Sequence, residues 1–447
     1  MFLYIDPGTG SMLFTILVGI LGAAVFGLRN LWVKLRFLFS GGKKEKEETG
    51  ILPFVIFADD KRYWNIFGPI CRAFDRRGQE AVYMTASPGD PALSESFEHV
   101  RCEFIGEGNR AYAKLNMLHA DVLLSTTPGL EVYQWKRSRG VRHYCHILHA
   151  ASDATLYRMF GLDYYDSVLL SGDYQAGQIR QLEQLRSLPE KELKVVGQPY
   201  MDELLSRLKK TPAAPHETTV LLAPSWGPSS ILSRFGEQAI DALIATGYHL
   251  IIRPHPQSFT SEKELMDRLM KKYPDVEWNR DNDNFDVLSR SDLMISDFSG
   301  VIFDFALVFN KPVIYADTSF DKAPYDACWL EDETWTFSTL PKIGAKLTED
   351  GLTDMKALID RCLMDETYRQ GRDKARAEAW AHIGESAELA VDFLMEKRWE
   401  ICARKEQEAG EEIRTREKKT GRNHKRNDSS QKAGPITEKP ASGRDKS

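Results

Sequence analysis

The sequence predicts an α/β fold: two doubly wound parallel sheets preceded by one N-terminal transmembrane helix. Three observations carry this. Short apolar runs alternate with helical stretches from Ile51 onward, a proline-bearing stretch at Lys209–Glu217 divides that series into two sets, and Ser11–Leu28 contains no charge.

The first element is that uncharged segment, SMLFTILVGILGAAVFGL. At 1.5 Å per residue it spans about 27 Å, close to the roughly 30 Å of a bilayer core. Arg29, Lys34, Arg36, Lys43, Lys44 and Lys46 follow it, and only Asp6 and the start amine precede it. The positive-inside rule therefore sets the N-terminus outside and the remainder in the cytoplasm, as a single-pass protein of the cell membrane. A cleaved signal peptide would need a basic stretch before the apolar run, and Met1–Gly10 has none. We assign 1–39 to the anchor and 40–50, SGGKKEKEETG within it, to a charged linker able to lie on anionic headgroups.

The first set of strands reads ILPFVIFA (51–58), AVYMT (81–85), CEFI (102–105), DVLLST (121–126), HYCHIL (143–148) and SVLLS (167–171). These runs are continuous rather than alternating, as in parallel strands covered on both faces. Ile66–Arg77 and Glu107–His119 have helical spacing between them. The second set reads TVLLAPS (219–225), HLIIRP (249–254), DLMIS (292–296) and PVIYA (312–316), with helical segments Glu237–Ala245 and Glu262–Tyr273. This gives one domain over 51–210 and another over 218–372. Two such domains leave a cleft at the carboxyl ends of their strands. Lys374–Ile401 reads as one long helix, broken or kinked near Gly384, within a unit at 373–402. From 403 to 447 the composition turns to Lys, Arg, Glu, Gly and Ser, which predicts a disordered basic tail.

Charge and cysteine content narrow the function. The 59 basic and 65 acidic residues give −6, which argues against a nucleic-acid partner. From Arg404 onward there are 13 basic and 8 acidic residues, so the tail is basic and the body acidic. Six cysteines occur with no CxxC pair, so reduced thiols are expected and a cysteine zinc site is not. No Walker A loop, GxGxxG turn or GxSxG elbow is present, and no cofactor is expected.

Three candidate sites fall at strand ends. Arg253-Pro254-His255-Pro256 follows HLII, where two prolines stop the ladder and hold both side chains at the functional edge. Arginine can fork phosphate oxygens, and histidine can donate to one or move a proton. Ser296-Asp297-Phe298-Ser299-Gly300 lies between a strand and a helical run. Such a turn offers backbone N–H groups and a positive dipole end to a phosphate or diphosphate, although Ser and Asp are also ordinary N-caps. His149 ends the run HYCHIL and points at the cleft edge of the first domain. His143, His146 and His149 would share a face on a helix, but on a strand they do not, so a metal site is not expected. Asp281-Asn282-Asp283-Asn284 lacks the ligand spacing of a calcium loop.

These stretches resemble the CDP-glycerol glycerophosphotransferase family, the teichoic-acid primases and polymerases. The resemblance rests on LLAPSW (221–226), LIIRPHP (250–256), DLMISDFSGVIFDFALVFNKPVIY (292–315), HILHAASDATLYRMFGLDYYDSVLLSGDYQ (146–175) and VVGQPYMDELL (195–205). It implies a GT-B architecture of two facing Rossmann-like domains. It implies that CDP-glycerol or a related CDP-alcohol donates to a lipid-linked or polymer acceptor at the membrane. By position it implies His149 as general base and His255 as a phosphate contact or proton donor. Arg253, Ser225, Ser296, Asp297, Ser299 and Gly300 would hold the nucleotide and its phosphates. Two departures stand out: the family's His-Gly-Thr turn with a following lysine is here His149-Ala150-Ala151-Ser152-Asp153, and its doubled serine is here Ser299-Gly300. The alternatives are another GT-B enzyme, a glycosyltransferase or nucleotide-sugar epimerase, and a non-catalytic membrane-tethered binding protein.

Overall fold

Two parallel sheets, each with a topological switch at its centre, organise the chain in a computed structural model that describes residues 50–212, 215–316 and 320–430. The first sheet comprises β1 (Leu52–Ala58), β2 (Ala81–Thr85), β3 (Val100–Phe104), β4 (His119–Ser125), β5 (Gly140–Ile147), β6 (Ser167–Leu170) and β7 (Glu192–Val195). Its order is β3-β2-β1-β4-β5-β6-β7. The second comprises β8 (Thr219–Leu222), β9 (His249–Ile252), β10 (Glu277–Trp278), β11 (Leu293–Ser296), β12 (Val313–Ala316) and β13 (Gly344–Leu347), in the order β10-β9-β8-β11-β12-β13. The chain turns from one direction to the other between β1 and β4, and again between β8 and β11. A crevice opens at the carboxyl ends of the strands at such points.

Every strand expected from an apolar run is present. Three more lie at sheet edges or near them: β7 (ELKV), β10 (EW) and β13 (GAKL). Partial exposure explains the polar sequences of β7 and β10; β7, for instance, alternates exposed and half-buried residues, whereas β13 is short and buried but for Lys346. The central strands β1, β4, β8 and β11 are buried along almost their whole length, which is why they read as continuous apolar runs.

The helical segment expected to break near Gly384 does break there, into two helices. Arg369–Ala379 ends before a turn in which His382 and Gly384 take φ of 50° and 89°, and Ser386–Ser430 follows. Asp202 fixes this turn, accepting from Trp380 Nε1 at 2.9 Å, Gly384 N at 2.8 Å and Ser386 N at 3.0 Å. The second helix returns to the first sheet's layer. Its Ala390, Val391, Phe393 and Leu394 join a buried cluster with Phe54, Ile56, Phe67 and Phe74. It continues to Ser430, so helix replaces the disordered tail expected from 403 up to that point. Residues 431–447 lie outside the described residues.

The anchor at 1–39 and linker residues 40–49 also lie outside them. Among the described residues no helix is long and apolar enough to cross a membrane. The six cysteines are free thiols, and the described residues hold no cluster of three or more metal-ligating side chains.

Polar contacts join the two halves beside the cleft. Asp153 accepts from the backbone N–H groups of Trp335 and Thr336, both at 2.7 Å, at the start of the helix Trp335–Ile343. Arg186 is buried between Asp163 at 2.7 Å and Asp326, and the Asp326 N–H donates to the carbonyl of Tyr157 at 2.9 Å.

Candidate active site

The first-domain side of the cleft is built on β5. Its ladder to β4 pairs His146 with Ser125, and Leu148 N continues the pairing to Leu169 O at 3.2 Å. His146 is therefore buried in the sheet, and His149 emerges just past the strand. A short 3-10 turn, Ala154–Leu156, brings Tyr157 back over both. The Tyr157 hydroxyl lies 2.8 Å from His149 Nδ1 and 3.2 Å from His146 Nε2. The remaining ring nitrogen of His149, Nε2, is thereby the one left for chemistry. A cavity of about 70 Å³ adjoins His149, lined also by Leu148, Ala150, Ser152, Asp153, Leu156 and Tyr157.

Burial, and then the nearby Arg62 cation, push His149 down to about 4. Burial and the neighbouring His149 push His146 well below its usual value. Burial raises Tyr157. All three groups are therefore neutral at neutral pH, and a neutral imidazole is the form that can take a proton.

On the second-domain side, His255 follows β9. Its Nδ1 accepts from Gln257 N at 3.1 Å, which sets the ring proton of the neutral form on Nε2. The Trp226 ring lies 6.4 Å away, tilted by 32°. Burial pushes His255 down to about 4, reinforced by Arg62, His149 and, more weakly, Arg253. The effect of His149 on His255 agrees with the two imidazoles facing the same cleft. A second contact agrees: a Cβ built on Gly300 would meet the Cβ of Ala150 at 3.2 Å. The turn after β5 and the turn after β11 thus touch.

The Ser296–Gly300 turn is tied together from within. Asp297 is fully buried. One carboxylate oxygen accepts from Ser225 N at 2.8 Å and Ser299 N at 3.2 Å, and the other from Ile231 N at 3.1 Å. Burial raises Asp297 to about 6, and these donors oppose the rise. Ser296 Oγ donates to Ala223 O at 2.7 Å and is also buried. The side chains of Ser296 and Asp297, expected beside a nucleotide, are engaged within the protein. Their side chains fix the loops after β8 and β11, leaving Ser225, Ser299 and Gly300 as the cleft-edge members of the set. A carboxylate in that knot avoids repelling a phosphate because backbone N–H groups surround it.

Arg253 also departs from expectation. Its guanidinium donates to Asn279 Oδ1 and to Asp281 O at 2.7 Å, turned toward the loop after β10. Both terminal nitrogens have partners in its own domain, which turn the guanidinium toward that loop.

Sequence reasoning missed Tyr157, Asp153 and Arg62. Tyr157 and Asp153 gave no signal, since their roles depend on the loop's return path. Arg62 did give one. It lies in the turn directly after β1, at the same functional edge that singled out His149.

Two facing parallel α/β domains, joined at their strand ends and closed by a returning C-terminal helix, define a GT-B-like protein with a two-histidine cleft. Residues 163–328 match the family CDP-Glycerol:Poly(glycerophosphate) glycerophosphotransferase, so the family resemblance read from the sequence is shown. The fold is similar to that of the wall teichoic acid polymerase TagF, at 16% identity and a TM-score of 0.53, covering 86% of this chain and 99% of that one. A TagF variant soaked with CDPG gives 14% identity, a TM-score of 0.53 and coverage of 86% and 99%. No curated protein matches the chain.

Proposed function

We propose that the protein transfers glycerol phosphate, or a similar polyol phosphate, from a CDP-alcohol to a hydroxyl of a membrane-associated acceptor, releasing CMP. The observation that carries this reading is the contact between the turn that follows His149, at Ala150, and the Ser299-Gly300 turn of the second half, with His255 just past the end of β9 in that half. The family match over 163–328 supports the reaction class, and the CDPG soak recorded for TagF supports the donor.

In this reading the acceptor oxygen attacks the β-phosphorus of the CDP-alcohol. The bond from β-phosphorus to the bridging oxygen breaks, and CMP leaves with its electron pair. His149 Nε2 takes the acceptor proton, and His255 Nε2–H donates to a phosphate oxygen. Most of the catalysis is positioning and charge neutralisation, as in phosphoryl transfer generally. The uncharged segment 11–28 and the basic residues after it would hold the cleft on the cytoplasmic face, near a lipid-linked acceptor.

The test is to incubate the full chain in vesicles with CDP-glycerol, CDP-ribitol and nucleoside-diphosphate sugars, and to measure released nucleotide. CMP release from a CDP-alcohol is the expected result. Release of UDP or GDP alone would overturn the reading.

A further inference from the structure

We infer that Arg62 is a phosphate ligand, supplying from the first domain the guanidinium that grips the β-phosphate of a nucleoside-diphosphate donor. The inference rests on the transferase reading for the donor's identity, but on geometry for the site.

Arg62 lies in the 3-10 turn Lys61–Tyr63, directly after β1, the strand on the first-domain side of the topological switch. Asp60 caps this turn, accepting from Arg62 N at 3.0 Å, so the backbone is fixed. The guanidinium lies over the Tyr63 ring at 5.2 Å, and that ring lies 5.5 Å from the ring of His149. The side chain is only 32% exposed. Its Nε is buried and makes no hydrogen bond, although it pairs with the Asp60 carboxylate at 3.6 Å, and the guanidinium also interacts with the Tyr63 hydroxyl.

The electrostatics agree with this position. Arg62 depresses both His149 and His255, and on His255 it outweighs Arg253, which is only two residues away in sequence. One cation from the first domain thus acts on both imidazoles. Arg253, the arginine that sequence position favoured, is already held by Asn279 and Asp281. A diphosphate between His149 and His255 would meet Arg62 from the first-domain side, beside the Tyr63 ring that packs on His149. Its fork matches two non-bridging oxygens, a geometry a lysine cannot copy. The other charges at this edge are the carboxyls of Asp59 and Asp60. Asp59 accepts from the Thr127 hydroxyl at 2.8 Å, and burial raises it.

The test measures binding of CMP, CDP-glycerol and inorganic pyrophosphate to the full chain and to Arg62→Gln and Arg62→Lys, with melting temperature as the check on folding. CMP lacks the β-phosphate; the other two ligands carry the diphosphate. Arg62→Gln should weaken CDP-glycerol and pyrophosphate by about 10–100-fold, the range for a lost hydrogen bond to a charged group, and leave CMP little changed. Arg62→Lys should recover only part of the loss. Equal loss for all three ligands, no loss for the two diphosphates, or failure of the unaltered chain to bind pyrophosphate would overturn the inference. Binding of pyrophosphate without CDP-glycerol, with the same Arg62 dependence, would sink the CDP-alcohol reading and leave Arg62 as a phosphate ligand.

Discussion

The Tyr157 hydroxyl bridges His149 and His146, 2.8 Å from Nδ1 of the first and 3.2 Å from Nε2 of the second. A phenol has one proton to give. For His149 to accept a proton at Nε2, its Nδ1 must carry hydrogen and donate to Tyr157, and Tyr157 must then donate to His146. That order puts the proton of His146 on its buried Nδ1, which has no partner. An orphaned buried donor costs about 1–3 kcal/mol, a cost tolerated at functional sites more than elsewhere. Nitrogen-15 shifts of His149 should show a protonated Nδ1 and a bare Nε2. The reverse assignment would make His149 a donor rather than a base.

Tyr157→Phe removes that bridge without altering the ring. We expect kcat to fall about 10²-fold through loss of alignment, with KM for the CDP-alcohol little changed. Steady-state kinetics on the folded variant check this; a rise in KM at constant kcat would give Tyr157 a binding role instead.

His149→Ala should lower kcat by 10²- to 10⁴-fold, the usual range for a general base, with the melting temperature largely preserved. An unchanged rate removes His149 from the mechanism.

The pH profile follows from the depressed imidazoles. Both histidines are pushed to about 4, so they are neutral above that pH and lose base strength only as pH falls through it. The acid limb of kcat/KM, which reports the free enzyme, should therefore lie well below the usual histidine value of about 6.5. Arg62→Gln should move it upward, because the cation that opposes protonation is gone. The same shift bears on stability. A histidine lower in the folded than in the unfolded chain favours folding above the unfolded value, and that contribution declines as pH drops from about 6.5 toward 4. An acid limb at 6.5 that does not respond to Arg62 would contradict this account.

The two departures from the family pattern meet in space. Ala150 stands where the family has glycine, and Gly300 where it has the second serine. Their positions face each other, with the Ala150 methyl 3.2 Å from where a Gly300 side chain would begin. The methyl on one side fills what the missing side chain leaves on the other. Gly300→Ser alone should overpack the contact and cost about 1–3 kcal/mol. Ala150→Gly with Gly300→Ser should recover most of it, read as a coupling in thermal denaturation. Additive effects would break the pairing.

The fold was legible because central parallel strands must be apolar on both faces. Polar, part-buried β7 and β10 carry no such constraint, and the four residues of β13 make too short an apolar run, so all three left little signal. His149 and His255 were legible as strand-end histidines. Asp297 was recognised as part of the turn, but its role was not, because a buried carboxylate surrounded by backbone N–H groups reads in sequence like an exposed cap. Arg253 misled for a related reason: sequence gives the strand end but not Asn279, two dozen residues away, which takes the guanidinium. The helix to Ser430 escaped a reading based on composition, since Lys, Arg and Glu suit a polar helix as well as a solvated tail.

A structure of the complex with CDP-glycerol tests the central claim most directly. The account predicts the diphosphate in the cleft, with its β-phosphate oxygens within hydrogen-bond distance of His255 Nε2 and of Arg62, and the β-phosphorus facing His149 Nε2. A donor bound with its diphosphate away from both imidazoles would contradict it.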